Sequence, residues 1–431
     1  MRYPPFIEND SSFPNFFNVT MNYPGKAILN IEAEMLKSLD EIIVKSRINP
    51  GDHVAVGIGS RGITDLPSIV KILCDYLKKA GAEPVIIPAM GSHGGAVAQG
   101  QAKLCENMGI SEAACSTRIL SSLDVKKIGT VFNEVPVWFS RDALDMEHSI
   151  CINRIKPHTK FKAPLESGLF KMLCVGMGKH EGALTFHKWA LKYGFHPLLE
   201  AMGDKIIEKS NFRFGIGIVE DASDKPVLIK AVPAGQVKKE EQKLLKIAKD
   251  NFPTLPFDKL DVLIIEQIGK DISGAGMDPN VTGRAYDLKE DDFSSILDVT
   301  RLAILNLSDK TAGNGIGLGN ADIITEKVFQ NLDYETTIIN ALTSMSLRKA
   351  FLPVRLPDDQ KAIRACFTTI GPVKPEDVRA VIIKNTRHVR RFWASQALYE
   401  EIQAMKNATI GRNICLKFDR VGNLLLPELS E

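Results

Sequence analysis

The sequence lacks most of the features that announce a function directly. Its seven cysteines (Cys74, Cys105, Cys115, Cys151, Cys174, Cys366 and Cys415) are spread along the chain without a C-x-x-C pair. That spacing excludes the usual cysteine-built zinc knuckle or iron–sulfur cluster, so sulfur ligands for a soft metal would have to come from a cofactor. No apolar run approaches the length needed to span a membrane. Lysine plus arginine (54) and aspartate plus glutamate (52) nearly cancel, leaving a formal net charge of +2 with no basic block or acidic tail. Nucleic acid and membrane surfaces are therefore not expected partners. The N-terminus, MRYPPFIENDSSFPNFF, carries prolines and scattered aromatics in place of the charged start and apolar centre of a secretion signal, and the expected location is the cytoplasm. No H-E-x-x-H element is present, and the glycine run Gly313–Gly319 has neither the lysine of a Walker loop nor the register of a dinucleotide fingerprint.

What is present is a regular alternation of strands and helices. A chain of 431 residues suits two domains. His53–Ile58 reads as a buried strand, followed by a helix capped at Thr64 or Asp65 with Pro67 in its first turn, and then by a strand over Pro84–Ala89. Strand, helix and strand joined by short loops imply a parallel pair. In such a sheet the loops after successive strands emerge on one carboxyl edge, where open α/β sheets bind ligands. Arg61 and His93 lie just past the first two strand ends, and a third strand, Ser149–Ile152, delivers Asn153 to His158 to the same edge. Pro253 and Pro256 mark a boundary near 255. Beyond it, strands over 261–265, 302–307 and 380–383 and a helix over 292–299 repeat the pattern. The expected fold class is α/β, with two Rossmann-like lobes of mainly parallel sheet facing each other across a cleft. The expected domains are 1–255, completed by a last strand within 410–431, and 256–409.

The most informative stretch runs from Asn153 to His187 and holds three of the chain's eight histidines, His158, His180 and His187. Within it, Lys171 stands in the apolar run Leu169-Phe170-Lys171-Met172-Leu173-Cys174-Val175. A lysine in that setting either snorkels to a surface or sits desolvated, where the neutral amine is available as a nucleophile or covalent anchor. His180 and His187 are two helical turns apart and share a face, and either is a candidate metal ligand.

These residues resemble the nickel-dependent lactate racemase family and its relatives that racemise or epimerise 2-hydroxyacids. The cofactor of that family is the nickel-pincer nucleotide, a pyridinium-3,5-bisthiocarboxylic acid mononucleotide holding nickel through carbon and sulfur. It is tethered to a lysine as a thioamide, and a histidine completes the nickel coordination. By this resemblance Lys171, preceded by Ser167-Gly168, is the anchor, and His187, sixteen residues later, is the nickel ligand. His93, in a G-x-H loop, and His158 match the two general bases, and Arg61 matches the carboxylate-binding arginine. The resemblance covers both lobes, most clearly 52–190 and more loosely 261–320. Ile58-Gly59-Ser60-Arg61 departs from the Asp-His-Thr-Arg loop of the lactate-specific members, and the segment between His158 and Lys171 is a few residues longer. Met277 to Arg284 replaces their substrate-contacting Gln and Lys, with Arg284 expected to take the cationic role. A 2-hydroxyacid larger or more polar than lactate suits two arginines.

The implied reaction moves a hydride between substrate and cofactor while one histidine on each face handles the hydroxyl proton. Loading the cofactor requires its biosynthetic enzymes as partners. Two other readings stand beside this one. The fold could serve as a cofactor-free organic-acid binding or sensor protein, or His93, His158 and His187 could hold a mononuclear hydrolytic metal.

Overall fold

The first strand–helix–strand unit forms as its pattern predicts. Leu66, Ile69, Val70, Leu73 and Leu77 fall on one face of the helix Leu66–Lys79 and are buried against Val54 and Val56 of the strand His53–Ile58. Each such side chain contributes about 1.5–3 kcal/mol by leaving water. The computed structural model describes residues 3–8, 12–23, 26–59, 63–285, 293 and 295–428. The chain divides into two compact units, one of Gly25–His158 and Lys162–Phe252, the other of Met1–Pro24, Thr159–Phe161 and Pro253–Glu431.

The unit built from the first half holds a five-stranded sheet in the order Glu83–Pro88, His53–Ile58, His148–Arg154, Phe212–Glu220, Pro226–Pro233. The first four strands are parallel and the last is antiparallel. The register fixes the edge where they end. Ile58 pairs with Pro88 on one side and with Ile152 on the other, so the first two strands end level and the third runs two residues further toward the same edge. The convergence expected of the loops after these strands is therefore observed. Arg61, the residue expected after the first of them, lies outside the described residues.

The other unit holds an eight-stranded sheet. Val354–Leu356, Ile323–Thr325, Asp298–Leu307, Lys259–Ile268 and Ala380–Ile383 run parallel, and Arg391–Ser395, Phe16–Met21 and Ala408–Ile414 continue the sheet antiparallel. Both units are thus mixed α/β with mostly parallel sheet. The boundary expected near 255 falls at Phe252/Pro253. The ends of the chain differ from expectation: the last strand completes the second unit, not the first, and the N-terminal arm joins it. The physical reason lies in Phe16–Met21, whose Phe16, Phe17, Val19 and Met21 are all buried. A buried strand needs backbone hydrogen-bond partners on both edges, and Arg391–Ser395 and Ala408–Ile414 supply them. The helix expected over 292–299 is replaced, where described, by the start of the strand Asp298–Leu307.

Removing the chain from Ala408 onward should therefore expose one side of Phe16–Met21. Amide exchange should accelerate in Phe16–Met21 and Arg391–Ser395 and stay unchanged in His148–Arg154. Accelerated exchange in His148–Arg154 alone would instead place the last strand with the first unit.

Candidate active site

The segment that carries Lys171 begins at Gly168 and is built in three parts. Leu169–Lys171 forms a single helical turn, Met172–Met177 continues as a π-helical turn, and Lys179–Tyr193 is a regular helix. π-Helical turns shift the phase of the following helix and recur at functional sites. Here Lys179, which opens the last helix, takes a left-handed backbone (φ 55°) that a non-glycine residue adopts only when its surroundings hold it there. Its side chain is fully buried and donates from Nζ to the Pro88 carbonyl at 2.8 Å. Burial brings this amine down to about 8. Lys179 thus ties the start of the helix to the end of the strand Glu83–Pro88, from which the His93 loop departs. That loop lies directly on the segment that carries Lys171. Gly91 has a left-handed backbone, and a Cβ there would press within 3.3 Å of Val175 and Ala183. Gln101 holds the loop from the other side, donating to the Gly91 carbonyl at 2.9 Å.

His158 and Lys171 meet. The Lys171 Nζ and His158 Nε2 atoms are 2.9 Å apart. Lys171 is half-buried and His158 is buried. The His158 loop is held by Glu166, a fully buried carboxylate that accepts from His158 N at 2.6 Å and Ala163 N at 3.1 Å and pairs with Lys249 Nζ at 2.6 Å. The Lys171 turn is held by a second buried acid. Glu241 Oε2 accepts from Phe170 N at 2.9 Å, at the helix start where backbone N–H groups lack partners. Glu241 Oε1 has no partner among the described residues, and burial pushes this carboxyl up to about 8. A Cβ on Gly168 would overlap that oxygen, so glycine is required immediately before the turn.

Phenylalanine rings link His158 to His187. His158 packs on Phe195 (centroids 6.4 Å apart), Phe195 on Phe186 (5.9 Å), and Phe186 on His187 (5.7 Å). The structure therefore brings His158 onto Lys171, sets Gly91 of the His93 loop against the same segment, and carries His187 on the helix that continues it. His180 is half-buried on the same helix, and its Nδ1 has no hydrogen-bond partner among the described residues. Arg284 belongs to the other unit and does not present a free cation. It is buried, with Nη1 paired to Asp322 at 2.7 Å and Nη2 donating to the Val299 carbonyl at 2.6 Å and the Thr300 carbonyl at 3.0 Å. Those contacts give Arg284 a structural task, tying its loop to the strand Asp298–Leu307, in place of the substrate contact expected of it.

The donor set bears on the choice of metal chemistry. Among the described residues, no three or more His, Cys, Asp or Glu side chains come together as a metal site. A protein-built hydrolytic centre on His93, His158 and His187 does not fit that arrangement. A metal held mainly by a covalently tethered organic group needs only one imidazole from the protein, and a half-buried lysine with a neighbouring base suits the tether. Sequence reasoning missed Glu166, Lys249, Glu241 and Lys179. Of these only Glu241 carried a signal, as the inward-facing acid among Val237, Leu244, Leu245 and Ala248 of the helix Val237–Asn251.

No family model matches the sequence, and no curated protein matches it. Solved structures do. The lactate racemase apoprotein from Thermoanaerobacterium thermosaccharolyticum aligns over 86% of this chain and 99% of its own, with 14% identity and a TM-score of 0.53. A protein from Thermotoga maritima known from its crystal structure aligns over 79% of this chain and 84% of its own, with 14% identity and a TM-score of 0.50. At these identities the likeness is one of fold. Among the described residues no helix is long and apolar enough to cross a membrane.

The buried Glu241 makes stability depend on pH. Its folded value of about 8 lies above the ordinary glutamate value of 4.5. Its contribution is therefore fully present below the ordinary carboxylate range and is lost as the pH rises to about 8, on the order of 1.4 kcal/mol per pH unit inside that window. Glu241→Gln, which stays neutral, should remove this slope. Urea unfolding of both proteins between pH 5 and pH 9 checks it, and parallel slopes would refute the assignment.

Proposed function

We propose that the chain is a racemase or epimerase of a 2-hydroxyacid that works with a nickel-pincer nucleotide. The observation that carries this reading is the Lys171 amine held 2.9 Å from His158 at the start of a π-helical turn, with His187 on the helix that follows it. The likeness of fold to a lactate racemase apoprotein supports it. Lys171 would hold the group covalently, so its charge disappears and its apolar surroundings cease to be a cost. His187 would supply the imidazole ligand, a donor suited to nickel. When bound, the group supplies a hydride acceptor and donor, the chemistry the protein's own side chains lack.

The remaining work falls to the chain. A carbinol hydroxyl must lose its proton as its carbon becomes planar, and regain one when the centre is re-formed. His93 and His158 come from loops after different strands of one sheet, so one base on each face of a substrate is the arrangement proposed. Neutral imidazole accepts, and imidazolium returns, a proton near neutral pH. Glu166 positions His158 through its backbone, and Gln101 positions the loop of His93. Arg61 is proposed as the carboxylate partner, where a guanidinium makes a two-point contact. With Arg284 committed to Asp322, the case for a second arginine on the substrate falls away, and the proposed substrate class is 2-hydroxyacid without further restriction.

The test is the intact mass and nickel content of protein co-produced with the pincer-nucleotide biosynthetic enzymes. The expected result is an added mass on the Lys171 peptide together with nickel. Lys171→Ala should lose the adduct and His187→Ala should lose most of the nickel, while unchanged nickel in His187→Ala would move the ligand to His180. No adduct in cells that load a control racemase would overturn the cofactor reading in favour of an organic-acid binding protein. His93→Gln should keep the adduct and lower racemisation of its 2-hydroxyacid by on the order of 10²-fold or more, the usual scale for a lost general base.

A further inference from the structure

The contact between Lys171 and His158 is made by the protein alone, before any group is attached. That places a proton acceptor at the amine at the moment the amine must react. An ammonium has no lone pair to attack with, and at an ordinary lysine value only about one amine in 10³ is neutral near pH 7. Two positive charges at this separation repel, which favours passing the proton onward. We propose that His158 is the proton acceptor for the acylation of Lys171, a task that precedes turnover. This rests on the reading of Lys171 as a covalent anchor and adds to it the residue that makes the anchor reactive.

The step is a transfer from an activated acyl or thioacyl donor. Lys171 Nζ attacks the acyl carbon and the C–N bond forms. The bond from that carbon to the leaving group breaks, and the leaving group departs with the bonding pair. Nζ gives up two protons. His158 Nε2 takes the first from the ammonium, freeing the lone pair, and releases it to solvent. It then takes the second as the C–N bond forms and returns it to the leaving group.

The surroundings hold both partners for this. Glu166 fixes the backbone of His158, and Glu241 fixes the turn of Lys171. The charged and titratable groups on the elements packed around the pair are few in kind. The loop itself carries Lys156, Lys160 and Lys162. Of these, Lys160 donates to the Ser344 carbonyl at 2.7 Å. The helix Val237–Asn251 contributes Lys249, paired with Glu166, and Glu241, buried under Phe170. The helix Lys179–Tyr193 contributes His187 through Phe186, and Phe195 brings an uncharged ring to His158. Glu166 is satisfied by two N–H groups and a lysine, Glu241 is turned to the helix start, and the imidazole of His158 is the base placed on Nζ at 2.9 Å.

The experiment uses the full-length chain without cofactor and p-nitrophenyl acetate as acyl donor. Transfer of its acetyl group gives acetyl-lysine and p-nitrophenol, and peptide mass spectrometry follows Lys171 and the other lysines separately. Lys171 should acetylate on the order of tenfold faster than the average surface lysine. Its rate should rise through the imidazole range near 6.5, not the amine range near 10.4. His158→Gln should slow Lys171 at least tenfold at neutral pH and move its profile to the amine range, with the other lysines unchanged. Equal rates and profiles in the variant would overturn the proposal. If the variant does not fold, the wild-type profile decides: a rise confined to the amine range overturns it. The two readings separate cleanly. A chain that acetylates as expected yet never takes a tethered cofactor loses the anchor reading and keeps the base. A chain that takes the cofactor on Lys171 but acetylates like an ordinary amine loses the base and keeps the anchor.

Discussion

The register of three parallel strands is the constraint on which the site depends. Because Ile58 is matched to Pro88 and to Ile152, His53–Ile58 and Glu83–Pro88 end level and His148–Arg154 runs two residues further toward the same edge. A slip of one residue in a strand would turn its side chains to the other face and move its loop along the edge. The segment that carries Lys171 then lies across that edge, close enough that Gly91 meets Val175 and Ala183. His93 and His158 are placed by strand ends, and Lys171 and His187 by what lies over them.

Around this site the structure buries polar groups in a layer that would otherwise be apolar. Glu166 and Lys179 are fully buried and hydrogen-bonded, and Glu241 is fully buried with one oxygen left over. Each costs desolvation and holds one backbone piece in place: the His158 loop, the end of the strand Glu83–Pro88, and the Lys171 turn. Such groups seldom add stability, since apolar side chains of the same volume often do as well. Their effect here is on position. A site whose reacting atoms must meet within a few tenths of an ångström needs its supporting contacts fixed as firmly as its own.

Much of this was legible in the sequence, and the limits have physical causes. The strands and helices of the first unit declare themselves through period, caps and prolines. The converging loops follow from the rule that parallel strands release them on one edge. Lys171 was conspicuous because its neighbours are apolar. Two kinds of fact were hidden. The first is partnership across long separations: nothing near Arg284 points to Asp322, and nothing near Glu166 points to Lys249. The second is choice among equals. The closing strand carries no local mark of the sheet it joins, and only its long-range pairing with Phe16–Met21 assigns it. The run Met172 to Met177 likewise suits an α-helix and a π-helical turn equally well.

The Glu241 contact also sets an order of events. The turn bearing Lys171 is finished by a residue seventy positions further along the chain, in the last helix of its unit. Contacts of such separation form late, after the entropy of closing the intervening loop has been met. During synthesis the Lys171 turn therefore emerges long before the carboxyl that orders it, and its finished hydrogen bonding is a property of the completed unit.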